Sequence, residues 1–378
     1  MIGDLFLYNT LRLALLLILL IYGFCLGKSH NKHTLFITGV IAIMAFSLIE
    51  GLRWDRGIDY YNYYLMLTTD NPDIKSSELL FNAIIDTSRM LSLPYWLCFV
   101  LFSALYIYSF TKVVKEFPKA AIWALPVMFL TTVAAHENLT RQFIAISFVL
   151  LAYYFYIKQR KVPMLLCLVC VLSIHISGLF AVAMFLIIAY FKLEKIVKTP
   201  ILLLGIYLAL YFFWDTSYLN PFADYLSTMD LGGNEDMQHY LDNADRWFTS
   251  EGSLSGLQGT KNKASIIRLF FNMVIECSVI YFGFFAMKND KRLRIPYWFT
   301  FFSLIIFIIG GDIELYRRFG WWLYVFMPIV LGSIWYTVPM KSSFRIALMS
   351  IIAFSYAYAF IMSFTYIPPT GWEFVWDR

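Results

Sequence analysis

The chain has 378 residues, of which 60% are hydrophobic and only 15% are charged, and its formal net charge is +5. A soluble protein of this size cannot cover so much apolar surface, so the composition excludes a water-soluble globular fold. The sequence therefore predicts an all-α polytopic membrane protein, with residues 1–378 forming a single integral membrane domain.

Ten apolar runs predict membrane-spanning helices, in chain order near 5–26, 33–50, 94–111, 120–135, 139–157, 199–215, 264–287, 295–310, 319–338 and 346–366. The first run has no basic leader and no small-residue cleavage site, so we expect a retained span and not a signal peptide. All five cysteines lie in apolar segments, which favours packing over a zinc site.

The short loops between these runs predict the sidedness of the protein. Six of them carry 17 basic and three acidic residues, and the positive-inside rule makes such loops cytoplasmic. We therefore expect loops 51–93 and 216–263 to form the periplasmic side, with both termini there as well. Within the first of these loops, residues 76–92 have the pattern of an amphipathic helix at the membrane interface.

One apolar run is too long for a single span. Residues 162–191 would form a helix of roughly 45 Å, against a hydrocarbon core of ~30 Å. Basic loops also flank both ends of this run, which would invert every later loop. Two half-spans that meet near His175 remove both conflicts, because irregular backbone at membrane depth is tolerated where it lines protein or water. This broken pair gives about 11–12 hydrophobic passes.

Polar side chains gather on the predicted periplasmic side. They are Arg53, Arg56, Asp59 and Tyr60, then Asn138, Arg141 and Gln142, then His175, and finally Tyr316, Arg317 and Arg318 beside Asp312 and Glu314. Arginine at the end of a span is costly unless paired and often marks a functional cavity. Its planar fork matches phosphate oxygens, so five arginines on this side favour a lipid-linked pyrophosphate as the ligand.

Structural readings of the same residues stay open at this point. Arg56 suits an ion pair with a neighbouring aspartate, and Asn138 suits an N-cap for the helix that follows. Tyr60 and its neighbours suit either an interfacial aromatic belt or stacking on sugars, and His175 suits packing. Asp312 and Glu314 lack a third metal ligand nearby. We find no phosphate-binding glycine loop, no nucleic-acid patch and no metal motif, and therefore expect no cofactor.

Four stretches carry a family resemblance: "RWDRGIDY", "NLTRQFIA", "HISGLF" and "RRFGWWLYVFMP", in that order. Together they resemble the EpsG-like group of Wzy-type polysaccharide polymerases over most of the chain, although loop 216–263 departs from the pattern. The resemblance implies a GT-C-like, metal-independent glycosyltransferase of the bacterial inner membrane. It would move a growing O-antigen, capsule or exopolysaccharide chain from undecaprenyl pyrophosphate to the sugar of a new lipid-linked repeat. A chain-length regulator in the membrane is a candidate partner.

For that reaction the residues divide into predicted roles. Predicted pyrophosphate ligands are Arg53, Arg141 and Arg318, with Arg56 and Arg317 as further contacts. Residues expected to position sugar or phosphate are Tyr60, Asn138, Gln142 and Tyr316. Both Asp59 and His175 are candidates for the general base, and the sequence does not rank them.

Three other functions share parts of this pattern. A flippase for the lipid-linked oligosaccharide also needs cations, but along a route through both leaflets. An O-antigen ligase differs from a polymerase only in its acceptor. An O-acyltransferase acting at the outer face would also use a histidine, but it would not need five arginines.

Overall fold

The computed structural model describes residues 2–57, 59–69, 78–219, 266–311, 313–364 and 373–377. The helices are α1 (Ile2–Lys28), α2 (Lys32–Gly51), α3 (Tyr60–Thr68), α4 (Leu79–Met90), α5 (Tyr95–Val114), α6 (Ala121–Asn138), α7 (Thr140–Ile157), α8 (Lys161–Ile174), α9 (Gly178–Tyr190), α10 (Leu193–Ile196), α11 (Pro200–Phe213), α12 (Ile266–Asn289), α13 (Arg294–Gly310), α14 (Glu314–Tyr324), α15 (Met327–Thr337) and α16 (Ser342–Ser363).

The helices confirm the prediction of an all-α polytopic membrane protein. Within the described residues, nine helical segments are long and apolar enough to cross a membrane, and α8, α9 and α11 are shorter apolar helices. Large apolar side chains stay exposed along the outer helices, for example Phe6, Leu17 and Phe36. In water these side chains would be unfavourable, whereas lipid is as apolar as they are.

The long apolar run breaks into two helices, as predicted. Helices α8 and α9, of 14 and 13 residues, are each about 20 Å long at 1.5 Å per residue. His175 lies in the loop between them with extended backbone. The far end of α9 returns to the end of α7, because Arg294 donates hydrogen bonds to both the Ala189 carbonyl and the Tyr156 hydroxyl. The pair is therefore a hairpin that opens towards the basic loops.

The central helices form the most buried part of the protein. Helices α5, α6, α7, α13 and α15 contribute long runs of buried side chains, and α15 packs against both α6 and α12. Trp298 of α13 and Trp322 of α14 are almost completely buried there. Close packing of this kind fixes the ends of α6, α7 and α14, from which several of the polar residues project.

The loop after α2 is held by contacts distant in sequence. Trp54 donates a backbone hydrogen bond to the Glu373 carbonyl at 2.9 Å, and Val375 donates one to the Leu52 carbonyl at 3.0 Å. Gly57 has a φ of +106°, and a Cβ at this position would overlap the Glu137 carbonyl oxygen. Glycine is therefore required where this loop meets the end of α6.

The structure describes most of the first predicted periplasmic loop but little of the second. Residues 59–69 and 78–93 of the first loop contain α3 and α4, so the predicted amphipathic segment is helical over Leu79–Met90. Phe81 and Ile85 face the protein, while Leu79 and Met90 are exposed. Of the second loop, residues 220–263 lie outside the described residues, as does Asp312.

Candidate active site

Six polar side chains from separate parts of the chain lie together at the ends of α3, α4, α7, α8 and α14. This site cluster consists of Asp59, Glu78, Arg141, Gln142, His175 and Arg318. Five of the six are among the residues predicted from the sequence, and Glu78 is the exception. The packing of α7 against α8 and of α14 against α9 brings them together.

Glu78 joins Arg141 to His175. Its Oε2 atom accepts a hydrogen bond from Arg141 Nη1 at 2.6 Å, and its Oε1 atom lies 3.4 Å from His175 Nδ1. The side chain of Glu78 is 7% exposed, whereas those of Arg141 and His175 are 23% and 15% exposed. The carboxylate is thus the buried member, and the guanidinium and imidazole groups face partly outwards.

A second ion pair in the site cluster joins Asp59 and Arg318. Arg318 Nη2 is 3.9 Å from Asp59 Oδ2, and the two side chains are 23% and 29% exposed. Gln142 Nε2 donates a hydrogen bond to the Arg318 carbonyl at 2.7 Å, which fixes the start of α14 against α7. At 3.9 Å and this exposure, the ion pair by itself contributes little to stability.

His175 lies in the loop outside both helices of the α8–α9 pair. Burial lowers its pKa below the usual value, and the neighbouring Glu78 carboxylate opposes part of that shift. The imidazole is therefore neutral at pH 7. Trp322 packs against it with ring centroids 5.8 Å apart, which limits the directions in which the ring can turn.

Arg53, predicted to bind pyrophosphate, is instead fully buried beside this cluster. Its three side-chain nitrogens donate to the Glu50, Arg56 and Glu137 carbonyls and to the Thr140 hydroxyl. The guanidinium thereby ties the end of α2 and the following loop to the junction of α6 and α7. Because Thr140 directly precedes Arg141, this contact also fixes the backbone that carries Arg141.

Arg56 and Tyr60 are buried as well. Arg56 forms an ion pair with Glu137 at 3.2 Å and lies over the rings of Tyr8 and Phe374. The sequence predicts a neighbouring aspartate as the ion-pair partner of Arg56, but the partner in the structure is Glu137. Tyr60 stacks on Phe99 with centroids 4.7 Å apart. Both side chains pack inside the protein and do not face the site cluster.

The other predicted residues lie at the margin. Asn138 is the last residue of α6, and Leu139 occupies the N-cap position of α7, so the N-cap reading of Asn138 was wrong. Tyr316 is half-buried against Gly310, and Arg317 is exposed on α14.

Two features were not predicted from the sequence. Glu78 stands in a polar loop without any spacing that singles it out, and only its contacts distinguish it. Tyr61 is 56% exposed and stacks near Tyr64, with centroids 5.9 Å apart. The sequence does not distinguish Tyr61 from its tyrosine neighbours. In α3, however, Tyr60 and Tyr63 lie on the buried face of the helix and Tyr61 does not.

The arrangement combines two chemical capacities. Arg141 and Arg318 offer charged donors to an anion, and His175 with Glu78 offers a neutral imidazole beside an orienting carboxylate. Among the described residues, no group of three or more His, Cys, Asp or Glu side chains is placed to hold a metal ion.

Comparison with known proteins gives one match. A family model, described as the EpsG family, matches residues 36–375, which include every residue of the site cluster. No curated protein and no solved structure matches the chain.

Proposed function

Because the chain belongs to the EpsG family, a family of Wzy-like polysaccharide polymerases, we propose that it polymerises lipid-linked oligosaccharide repeats. The growing glycan would pass from undecaprenyl pyrophosphate to the non-reducing-end sugar of a new undecaprenyl-pyrophosphate-linked repeat. The observation that carries this proposal is the pairing of two partly exposed arginines with a histidine–carboxylate pair in one cluster.

Arg141 and Arg318 are the proposed pyrophosphate ligands. Each is paired with a carboxylate, which offsets the cost of a half-buried charge. Pyrophosphate carries more charge than either carboxylate and accepts two hydrogen bonds from a guanidinium fork. It would replace Asp59 on Arg318 more readily than Glu78 on Arg141, because the first contact is longer and more exposed.

His175 is the proposed general base. If Nδ1 carries its proton towards Glu78, the lone pair of Nε2 is free to accept the proton of the acceptor hydroxyl. That oxygen attacks the anomeric carbon of the donor, the bond from this carbon to the pyrophosphate oxygen breaks, and the leaving pyrophosphate keeps the electron pair. Arg141 and Arg318 then stabilise the added negative charge. A single displacement of this kind inverts the anomeric configuration, which NMR of the product linkage would test.

Arg53 and Arg56 are proposed to position the site and not to bind substrate. Arg53 fixes Thr140, next to Arg141, and Arg56 fixes Glu137 at the end of α6. Exposed Tyr61 is the proposed sugar contact, since an aromatic face suits a pyranose ring. Asn138, Tyr316 and Arg317 remain proposed contacts to sugar or phosphate at the margin of the site.

The proposed orientation of the protein in the membrane rests on its basic loops. These loops would lie in the cytoplasm, and the site cluster would face the periplasm of a bacterial inner membrane with both termini on that side. The donor, the acceptor and the bilayer are the proposed partners, together with a chain-length regulator. The arginines supply the positive charge that a metal would otherwise provide, so we propose a metal-independent reaction.

Formation of a glycan ladder tests the function. The purified full-length protein is incubated, with EDTA present, with lipid-linked repeats extracted from cells that lack it. We expect a ladder of lengthening glycans. Arg141→Gln should reduce the rate by about 100-fold or more, whereas the matched control Arg160→Gln, exposed after α7, should not.

Other outcomes would overturn the proposal in distinct ways. Movement of the lipid between leaflets of a liposome without a ladder would identify a flippase. A single transfer to a lipid core without further lengthening would identify a ligase. A ladder that disappears with EDTA and returns with a divalent metal would refute metal independence.

A further inference from the structure

A cavity lies at the other end of the helices from the site cluster. It has a volume of about 780 Å³ and is bounded by the end of α7, the α9–α10 connection, the end of α12 and the start of α13. Arg141 and Tyr156 belong to the first and last turns of α7, so about 22 Å of helix separates the site cluster from this cavity. The cavity is therefore a separate feature, on the side of the basic loops.

Its walls are strongly cationic. The lining includes six basic side chains and a single carboxylate, Glu194. The basic side chains are Lys192, Lys195, Lys288, Lys291, Arg292 and Arg294. They come from two connections that are distant in sequence, α9–α10 and α12–α13, and only the fold brings them around one space. A concave surface with one sign of charge concentrates its field on whatever enters.

Three of these cations have fixed positions. Arg294 is held by the Ala189 carbonyl, the Tyr156 hydroxyl at 3.1 Å and Glu194 at 3.9 Å. Lys288 donates to the Lys198 carbonyl at 3.0 Å, and Arg292 pairs with Asp290 at 2.7 Å. These contacts build the wall and partly neutralise it.

The other three cations have no ion-pair partner among the described residues. Lys192, Lys195 and Lys291 form no ion pair and no side-chain hydrogen bond within the described part of the chain, and all three are exposed. Three like charges around one cavity repel one another, and this repulsion is relieved when an anion binds between them. These three lysines therefore indicate that the cavity binds an anion.

Apolar side chains beside the lysines point to the source of the anion. Tyr190, Phe191 and Ile196 are 82%, 55% and 77% exposed, and they flank Lys192 and Lys195 in the sequence. In a bilayer such residues lie at the boundary between acyl chains and headgroups. We propose that the cavity binds the phosphate headgroup of an anionic phospholipid, with its acyl chains along these exposed side chains.

Such a lipid would brace the open end of the α8–α9 hairpin. Arg294 already links α13 to the end of α9, and the headgroup would add contacts from Lys192 and Lys195 to Lys291 across the same gap. The other end of α9 begins three residues after His175, so this lipid would stabilise the helix that positions the proposed base.

Lipid binding by the purified full-length protein tests this proposal. Native mass spectrometry is used to titrate dioleoyl phosphatidylglycerol and dioleoyl phosphatidylcholine onto the protein in a neutral detergent. We expect at least about tenfold tighter binding of phosphatidylglycerol, since each lysine near a headgroup contributes a several-fold gain. The triple variant Lys192→Gln/Lys195→Gln/Lys291→Gln should lose this preference.

The matched control is Lys28→Gln/Lys32→Gln/Lys119→Gln. These lysines are also exposed on the basic loops but do not line the cavity. The control should keep the preference within about twofold, and both variants should unfold at the wild-type temperature because the substitutions are exposed.

Three results would overturn the proposal. The first is an undiminished preference in the cavity variant, and the second is an equal loss in the control, which would reduce the effect to the general charge of this face. The third is that inorganic phosphate binds with the same dependence on the three lysines while phosphatidylglycerol shows no preference. That result would replace the lipid with a soluble phosphate compound.

Discussion

Two pairs of arginines lie side by side in this protein and differ in what surrounds them. Arg53 and Arg56 are buried. Their guanidinium groups contact backbone carbonyls, a carboxylate and aromatic rings. Arg141 and Arg318 are each 23% exposed, and each forms an ion pair with a carboxylate at the surface of the site cluster. The residue type is the same in both pairs. Burial decides whether an arginine only supports the fold or also presents its guanidinium group towards a substrate.

The largest expected effect comes from removing the buried guanidinium. Arg53→Ala leaves the Glu50, Arg56 and Glu137 carbonyls without this donor. Because an unsatisfied buried acceptor costs about 1–3 kcal/mol, we expect a loss of roughly 3 kcal/mol or more of stability. Thermal unfolding in detergent, followed by tryptophan fluorescence, would measure it, with exposed Arg160→Ala as the control. Unchanged unfolding together with lost activity would instead assign Arg53 to the substrate.

A smaller loss of stability is expected at Gly57. An alanine there would overlap the Glu137 carbonyl oxygen and would need a φ of +106°. We expect Gly57→Ala to cost about 1–3 kcal/mol. Gly205, with open space around its Cβ position and no positive φ, provides the control substitution Gly205→Ala. Equal unfolding temperatures for the two variants would show that the loop is not held against α6.

The partly exposed pair, Arg141 and Arg318, should respond in activity and not in stability. Arg141→Lys keeps the charge but loses the planar fork, so we expect transfer to slow by about tenfold with an unchanged unfolding temperature. Steady-state rates of glycan lengthening would measure the effect. The buried counterpart Arg53→Lys should show the reverse pattern, and a matching loss of stability in both variants would remove the distinction between the two pairs.

The smallest expected effect is a shift in the pH dependence of transfer activity. Since burial lowers the pKa of His175 below 6.5, the value for a free histidine side chain, its imidazole becomes protonated only at a lower pH than a free histidine does. We expect transfer activity to persist at pH 6.5 and to fall only as the pH drops through the lower pKa. In Glu78→Gln the carboxylate no longer opposes the shift, so this acidic limb should move to still lower pH. A limb that stays in place would show that Glu78 does not act on His175.

Much of the fold could be predicted because lipid imposes a simple rule. Every span must be apolar and about as long as the bilayer is thick, so even the break at His175 followed from the excess length of one run. The positive-inside rule predicted that Asp59, Arg141, His175 and Arg318 share one end of the helices, and the structure brings them together.

The finer division of the site could not be predicted. Arg53 and Arg56 are buried through Glu137, Tyr8 and Phe374, which are distant in sequence and carry no local signal. Glu78 was missed for the corresponding reason, since a single glutamate in a polar loop gains its importance only from contact with Arg141 and His175. Periodicity and charge counts describe single segments, whereas these contacts depend on how the segments pack.

The most direct test of the account is the single-turnover transfer rate of His175→Gln, with binding of the lipid-linked donor measured in parallel. Loss of a general base predicts a rate about 10²–10⁴ times lower with donor affinity nearly unchanged. The control His33→Gln, exposed on the opposite, basic side, should match the wild type. A His175→Gln rate within threefold of the wild-type rate, by order of magnitude no loss of base catalysis, would contradict the proposed role of the site cluster.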